Sequence, residues 1–246
     1  MELSGHMALI TGAGQGIGRA CAEVFALKGA DLILFDKNPK ALSEVADQTT
    51  RSGRQVFTCA LDLTDIEALK KAVEEVKSKG RIDILVNNAG FDRPGTVAKI
   101  NTSDFLEVLS IHLVVPFTLI QLLLPDMRKT GWGRIINVSS IYALIGAKAE
   151  VAYSTAKAGV IGLTKSVAKE AGSDGVTVNT VLPGLTRTPT IETFMAEKYK
   201  QLIINNTPLG RMGEAEEIAS VIAFLASDEA SYITGTPIPV CGGWGI

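Results

Sequence analysis

The 246-residue chain predicts an α/β fold, a doubly wound domain with a seven-stranded parallel sheet and helices on both faces. Three observations carry this. Strand-like and helix-like segments alternate from end to end. The strand segments are near-continuous apolar runs, as strands buried on both faces are. No linker, repeat or low-complexity stretch interrupts the pattern, so residues 1–246 read as a single domain.

The expected strands are MALIT (7–11), DLILF (31–35), QVFTCA (55–60), DILVN (83–87), RIINVS (134–139), VTVNTV (176–181) and PIPV (237–240). Between them lie helical patterns opening at GIGRACAEVF, PKALSEVADQ, DIEALKKAVEE, SDFLEVLSIHLVV, AYSTAKAGVIG and AEEIASVIAF. Gly29, Gly53, Gly80 and Gly172 follow helical patterns where left-handed caps are wanted. Thr64, with Glu67 three residues on, reads as a capping box. Pro116 is expected to bend the long apolar helix around residues 111–125, a run too short and too interrupted for a membrane span and read as a buried helix. The irregular stretch at about 185–212 reads as a substrate loop or lid.

Composition excludes several function classes. A net charge of −2 gives no reason to expect nucleic acid or an anionic membrane as partner. The three cysteines, Cys21, Cys59 and Cys241, are odd in number and scattered, which argues against a disulfide framework or a metal site. The N-terminus has no secretion signal pattern, and the expectation is a soluble cytoplasmic protein with His6 on its surface.

The first strand runs into TGAGQGIG (11–18) and then a helix. Glycines there let the backbone turn sharply and approach a pyrophosphate, while the helix N-terminus supplies N–H groups and positive dipole. Asp36 ends the second strand, where a carboxylate accepts hydrogen bonds from both adenosine ribose hydroxyls and repels a 2′-phosphate. This favours NAD over NADP, and Gln15 stands where a basic residue would have held the extra phosphate. Lys37 partly offsets the repulsion and leaves dual use open.

In VAYSTAKAGV, Tyr153 precedes Lys157 by one helical turn, so the phenol and the ammonium share a face. A neighbouring cation is expected to draw the tyrosine pKa down toward working pH. Alone the pair decides nothing, because such spacings arise by chance. Ser140 thirteen residues upstream, together with the glycine loop, gives it context. Oxidising a secondary alcohol needs a base for the hydroxyl proton and a donor fixing the oxygen, while a cofactor accepts the hydride.

TGAGQGIG, NNAG (87–90), Ser140, YSTAK and PGLTRT (183–188), in this order and at these separations, resemble the short-chain dehydrogenase/reductase family, in its compact branch with a Rossmann-type domain. The resemblance spans essentially the whole chain. It implies that Tyr153 is the acid/base, that Lys157 tunes it and binds the nicotinamide ribose, and that Ser140 polarises the substrate oxygen. It also implies that Gly12, Gln15, Ile17 and Gly18 surround the pyrophosphate, that Asp62 and Leu63 contact adenine, and that Asn88, Ala89 and Gly90 line the cofactor ribose. Pro183, Gly184, Thr186 and Thr188 would border the nicotinamide. A homotetramer is the implied assembly.

One position departs from the family pattern. His112 stands where the family usually has an asparagine whose main chain extends the proton relay. Either the relay uses only the backbone there, or the imidazole joins it and adds a pH limb. The residues flanking the site (Phe91, Asp92, Arg93, Ile141, Tyr142, Leu144, Ile145 and the 185–207 segment) are mostly apolar and suggest a hydrophobic or cyclic secondary alcohol or ketone. Two other readings stand beside it: a ketoreductase acting on carrier-bound 3-oxoacyl groups, and a nucleotide-sensing protein without chemistry.

Overall fold

The computed structural model describes residues 2–246. Seven strands form one parallel sheet in the order β3-β2-β1-β4-β5-β6-β9. They are β1 (Met7–Thr11), β2 (Asp31–Asp36), β3 (Val56–Ala60), β4 (Ile84–Asn87), β5 (Gly133–Val138), β6 (Val176–Pro183) and β9 (Pro237–Val240). Each predicted strand is present, two with the expected ends and the others with ends shifted by a residue or two.

Alternate residues of each strand feed two separate cores. Ala8 and Ile10 of β1 and Leu32 and Leu34 of β2 pack with α1 (Gly16–Leu27), α2 (Pro39–Thr50) and α10 (Ala215–Leu225). Met7, Leu9, Ile33 and Phe35 face α3 (Ile66–Lys77), α5 (Val115–Thr130) and α7 (Val151–Ala171) on the opposite side. Burial on both faces is why the strand sequences are apolar without a period of two. Strand order reverses between β1 and β4, which opens a crevice at their carboxyl ends, the place where such sheets bind ligands.

The helical pattern that opens at SDFLEVLSIHLVV is present over its whole length. Helix α4 (Thr102–Leu109), a π turn (Ser110–Val114) and α5 run on as one rod from Thr102 to Thr130, long and apolar enough by length and composition to cross a membrane. More than half of its most apolar window is packed inside the domain, as a buried helix should be. The irregularity falls in the π turn ahead of Pro116, which has no N–H to give the carbonyl behind it.

Several local expectations are corrected. Asp65, not Thr64, caps α3, accepting from the Ala68 N–H at 3.0 Å, because Thr64 is committed to Asp62. Gly29 and Gly53 are left-handed, but Gly80 is not, and Gly175 takes the role expected of Gly172, which continues right-handed into a short 3-10 turn. His6 is half-buried, stacked on Trp132 with ring centroids 3.9 Å apart. The irregular segment holds β7 (Thr186–Arg187), α8 (Pro189–Phe194), α9 (Glu197–Asn205) and β8 (Gly213–Glu214), with β7 and β8 paired in parallel. A four-residue helix, α6 (Tyr142–Ile145), follows Ser140.

Candidate active site

The glycine loop is built to admit something close to its backbone. Gly12 and Gly16 hold φ of +65° and +54°, open to glycine at little cost. A Cβ on Gly18 would stand 2.0 Å from the Gly12 carbonyl oxygen, so the first turn of α1 lies directly on the loop. Gln15, the N-cap residue, makes no side-chain cap, which leaves the first N–H groups of α1 without a side-chain acceptor. Across the crevice, Thr11 Oγ1 accepts from the Asn88 and Ala89 amides at 3.0 and 3.1 Å. The Asn88 side chain donates back to the carbonyls of Thr11 and Gly12. Thr11 is therefore the clasp that holds NNAG against the glycine loop, a role the sequence reading missed.

The remaining cofactor candidates surround this crevice. Asp36 accepts from the Gly14 N–H at 2.9 Å and the Asn38 N–H at 3.0 Å, so its carboxylate is fixed at the end of β2. Asp62 is held below the usual carboxylate range, first by Thr64 hydrogen bonds and least by nearby Lys37. Leu63 is buried. Pro183 ends β6, and Gly184 must be glycine because a Cβ would meet the Cys241 backbone at 2.7 Å. Thr186 donates to the Gly184 carbonyl, and Thr188 caps α8. Thr188 also lies above Gly16, and Gln15 reaches Thr190, so α8 leans over the glycine loop. Ile17 is half-buried on α1, and Gly90 faces the His112 ring.

Ser140, Tyr153 and Lys157 converge where β5 meets α7. Ser140 follows β5, accepts from the Tyr142 N–H at 3.2 Å and is hydrogen-bonded to the Tyr153 hydroxyl. Lys157 Nζ donates to the Val138 carbonyl at 2.7 Å and lies 5.4 Å from the Tyr153 ring centroid. Ser139 Oγ ties β5 to α7 by donating to the Lys157 carbonyl at 2.8 Å.

With this geometry in view, comparison with known proteins is direct. Residues 12–245 match the family model described as enoyl-(acyl carrier protein) reductase. The chain belongs to the short-chain dehydrogenase/reductase family. It is 41% identical over 244 residues to the 3-oxoacyl-(acyl-carrier-protein) reductase of Thermotoga maritima, covering 99% of each chain. Among solved structures it is similar to 7α-hydroxysteroid dehydrogenase complexed with NADH and 7-oxo glycochenodeoxycholic acid (TM-score 0.95, 33% identity, covering 99% of this chain and 95% of that one). It is likewise similar to a 3-oxoacyl (acyl-carrier-protein) reductase from Agrobacterium tumefaciens with NADP bound (TM-score 0.94, 32% identity, 99% and 95% covered).

A nicotinamide dinucleotide goes with this family, and the crevice of this short-chain dehydrogenase/reductase fits one. The glycine cradle leaves no room for a Cβ at Gly12 or Gly18, and the α1 N-terminus is uncapped by side chains.

The electrostatics of the trio differ from the expectation. Lys157 was expected to depress the Tyr153 pKa, yet burial dominates and holds the phenol above its usual range, with the Ser140 hydrogen bond pulling the other way. Lys157 is itself pushed down to about 7 by burial. His112 is buried, and its Nε2 lies 2.9 Å from the Phe91 carbonyl. A carbonyl only accepts, so Nε2 carries the proton. Burial, followed by the Lys157 charge, holds this imidazole well below the usual range and therefore neutral. Its ring meets Tyr153 edge-on at 5.3 Å.

The sequence reading also passed over Glu150. It lies just before α7, and burial first, with Asp92 second, pushes its carboxyl up to about 9. A charged residue one turn before the tyrosine was the available signal.

Proposed function

We propose that this chain is an NAD(H)-dependent oxidoreductase interconverting a secondary alcohol and its ketone. The observation that carries the reading is the convergence of Ser140, Tyr153 and Lys157 at the carboxyl edge of the sheet, beside the glycine crevice. The nicotinamide, when bound, supplies or accepts the hydride. Tyr153 gives a proton to the ketone oxygen or takes one from the alcohol, and Ser140 orients that oxygen. Lys157, with a pKa near 7, exchanges the proton onward at working pH. His112 stays neutral and serves through position: Pro116 leaves a carbonyl in the 111–112 turn without an in-helix donor, free to extend the relay.

Gly12, Gln15, Ile17 and Gly18 hold the pyrophosphate, Asp62 and Leu63 the adenine, and Asn88, Ala89 and Gly90 the ribose side. Pro183, Gly184, Thr186 and Thr188 border the nicotinamide. Asp36 supports NAD over NADP, since its fixed carboxylate faces the Gly14 turn where a 2′-phosphate would be repelled. The 185–212 segment acts as the substrate lid. The assembly is a homotetramer that covers exposed Leu106, Val114 and Phe117 on the long helix, and three free thiols fit a cytoplasmic setting.

A second reading, reduction of carrier-bound 3-oxoacyl groups, is favoured by the Thermotoga maritima relative. The deciding experiment follows nicotinamide absorbance with NAD+ and NADP+ against aliphatic, cyclic, aryl and steroid secondary alcohols, and with NADH and NADPH against a 3-oxoacyl thioester. Turnover of free alcohols with NAD+ supports the first reading. Turnover confined to NADPH and the thioester replaces it with the second.

A further inference from the structure

Under the oxidoreductase reading, on which this inference rests, Tyr153 must be held in line with Ser140, since a misplacement of about 1 Å costs about a hundredfold in rate. Tyr153 and Lys157 stand on α7, whereas Ser140 follows β5, so the trio is aligned only while the helix keeps one register against the strand. Apolar packing does little to set that register. The apolar side chains that α7 buries are the alanines Ala152, Ala156, Ala168 and Ala171, with Val160 and Val167. Side chains this short interdigitate shallowly and leave a helix room to slide or roll.

Buried polar bonds from the end of β5 reach α7 instead. Consecutive residues there grip Lys157 at both ends: its Nζ donates to the Val138 carbonyl at 2.7 Å, and Ser139 Oγ donates to the Lys157 carbonyl at 2.8 Å. Ser139 and Lys157 are both buried, and the strand ladder continues through the Ser139 N–H to the Val181 carbonyl. Two turns further along α7, Thr164 Oγ1 accepts from Asn137 Nδ2 at 2.9 Å, again in the interior. Asn137 is itself fixed, because its Oδ1 accepts from Asn87 Nδ2 of β4 at 2.8 Å and its carbonyl accepts from Thr180 Oγ1 of β6 at 2.7 Å. Asn137 and Ser139 alternate along the strand and point to one side, while Lys157 and Thr164 share one helix face. Sliding or rolling α7 would leave these buried donors and acceptors unpaired in the core, which is costly.

We propose that Ser139 and Thr164 are positioning residues, two pins that fix α7 along and about its axis so that Tyr153 stays in line with Ser140. Ser139 acts through the Lys157 backbone, one turn after Tyr153. Thr164 acts through the rotation of the same helix. Ser139 neighbours Ser140 in an extended segment, so its hydroxyl points the other way and is spent on the Lys157 carbonyl. Losing either pin leaves the fold standing and loosens the helix that carries the acid.

The test compares Ser139→Ala, Thr164→Val and Thr164→Ser with a control, Thr49→Val. Thr49 is equally buried and donates to the Val45 carbonyl at 2.8 Å, but it lies on α2, across the sheet from α7. Values of kcat and KM are measured with NAD+ and cyclohexanol and with NADPH and an acetoacetyl thioester, and hydrogen exchange is followed along α7. Ser139→Ala should lower kcat by about tenfold with KM within about threefold of the parent, and should speed exchange around residues 153–161. Thr164→Val, which keeps the shape and removes the hydroxyl, should lower kcat by about fivefold and reads the second pin however Ser139→Ala folds. Thr164→Ser keeps the hydroxyl and should match the parent, as should Thr49→Val. A kcat for Ser139→Ala within about threefold of the parent overturns the proposal, as does an equal loss in Thr49→Val or in Thr164→Ser and Thr164→Val alike. Faster exchange confined to α7 in protein that turns over neither substrate would uphold the pins and count against the oxidoreductase reading, so the two failures are separable.

Discussion

The two sides of the crevice are built by different means. The dinucleotide side is made of backbone: glycines without room for a Cβ, amides clasped by Thr11, and helix N–H groups left uncapped. The side around Ser140 and Tyr153 is made of side chains from separate segments: His112 and Tyr142 meet the Tyr153 ring edge-on, and Trp244 meets Tyr142. A backbone cradle is set by the course of the main chain, which side-chain substitution outside its glycines leaves in place. Side-chain walls change with single substitutions, so under the proposed reading the first sets the cofactor class and the second the substrate.

The sharpest way to break this division is at Gly18. Gly18→Ala places a methyl on the Gly12 carbonyl, and NADH affinity should fall by about a hundredfold or more, read by fluorescence titration on protein that still melts cooperatively. Asp36→Ala should follow with a smaller change. It removes the fixed carboxylate, and the NAD+ over NADP+ ratio in kcat/KM should drop by about tenfold or more. An unchanged ratio would remove Asp36 as the selector.

In the proposed role, Lys157 sets function against stability. Its pKa falls from 10.5 in the unfolded chain to about 7 in the fold, so between those values the unfolded state binds more protons. The cost of burying the ammonium is complete below about pH 7 and vanishes above about 10.5. Lys157→Met should abolish turnover yet raise Tm at pH 7 by about 3 °C or more, with the gap narrowing at pH 10. A lower Tm at both pH values would show that the Val138 hydrogen bond outweighs the desolvation. The smallest effect is expected at His112. Because the imidazole is neutral and pinned to Phe91, His112→Asn should leave the pH–rate profile between 6 and 9 superimposable on the parent, with kcat within about fivefold.

The same contrast explains what the sequence disclosed. The seven strands and the glycine loop were legible because apolar runs and glycines act locally. The spacing of Tyr153 and Lys157 decided nothing alone; the order of the glycine loop, NNAG, Ser140 and YSTAK singled out the three residues that the fold brings together. Glu150 was not, because its meaning depends on Asp92, 58 positions earlier in the chain, and on a bridge through Gly95. The pKa order within the trio was also misjudged: local spacing suggests a lysine that lowers its tyrosine, whereas burial, a property of the whole fold, governs both. Thr64 lost the α3 cap to Asp65 for a similar reason, its hydroxyl being already spent on Asp62.

The most direct test of the account is Tyr153→Phe, assayed for NADH binding and for oxidation of a turned-over secondary alcohol in the same preparation. The account predicts cofactor affinity within about threefold of the parent and kcat reduced by about a thousandfold, because the cradle is backbone and the proton transfer is the phenol's. Residual turnover within about tenfold of the parent would contradict the assignment of Tyr153 as the acid/base.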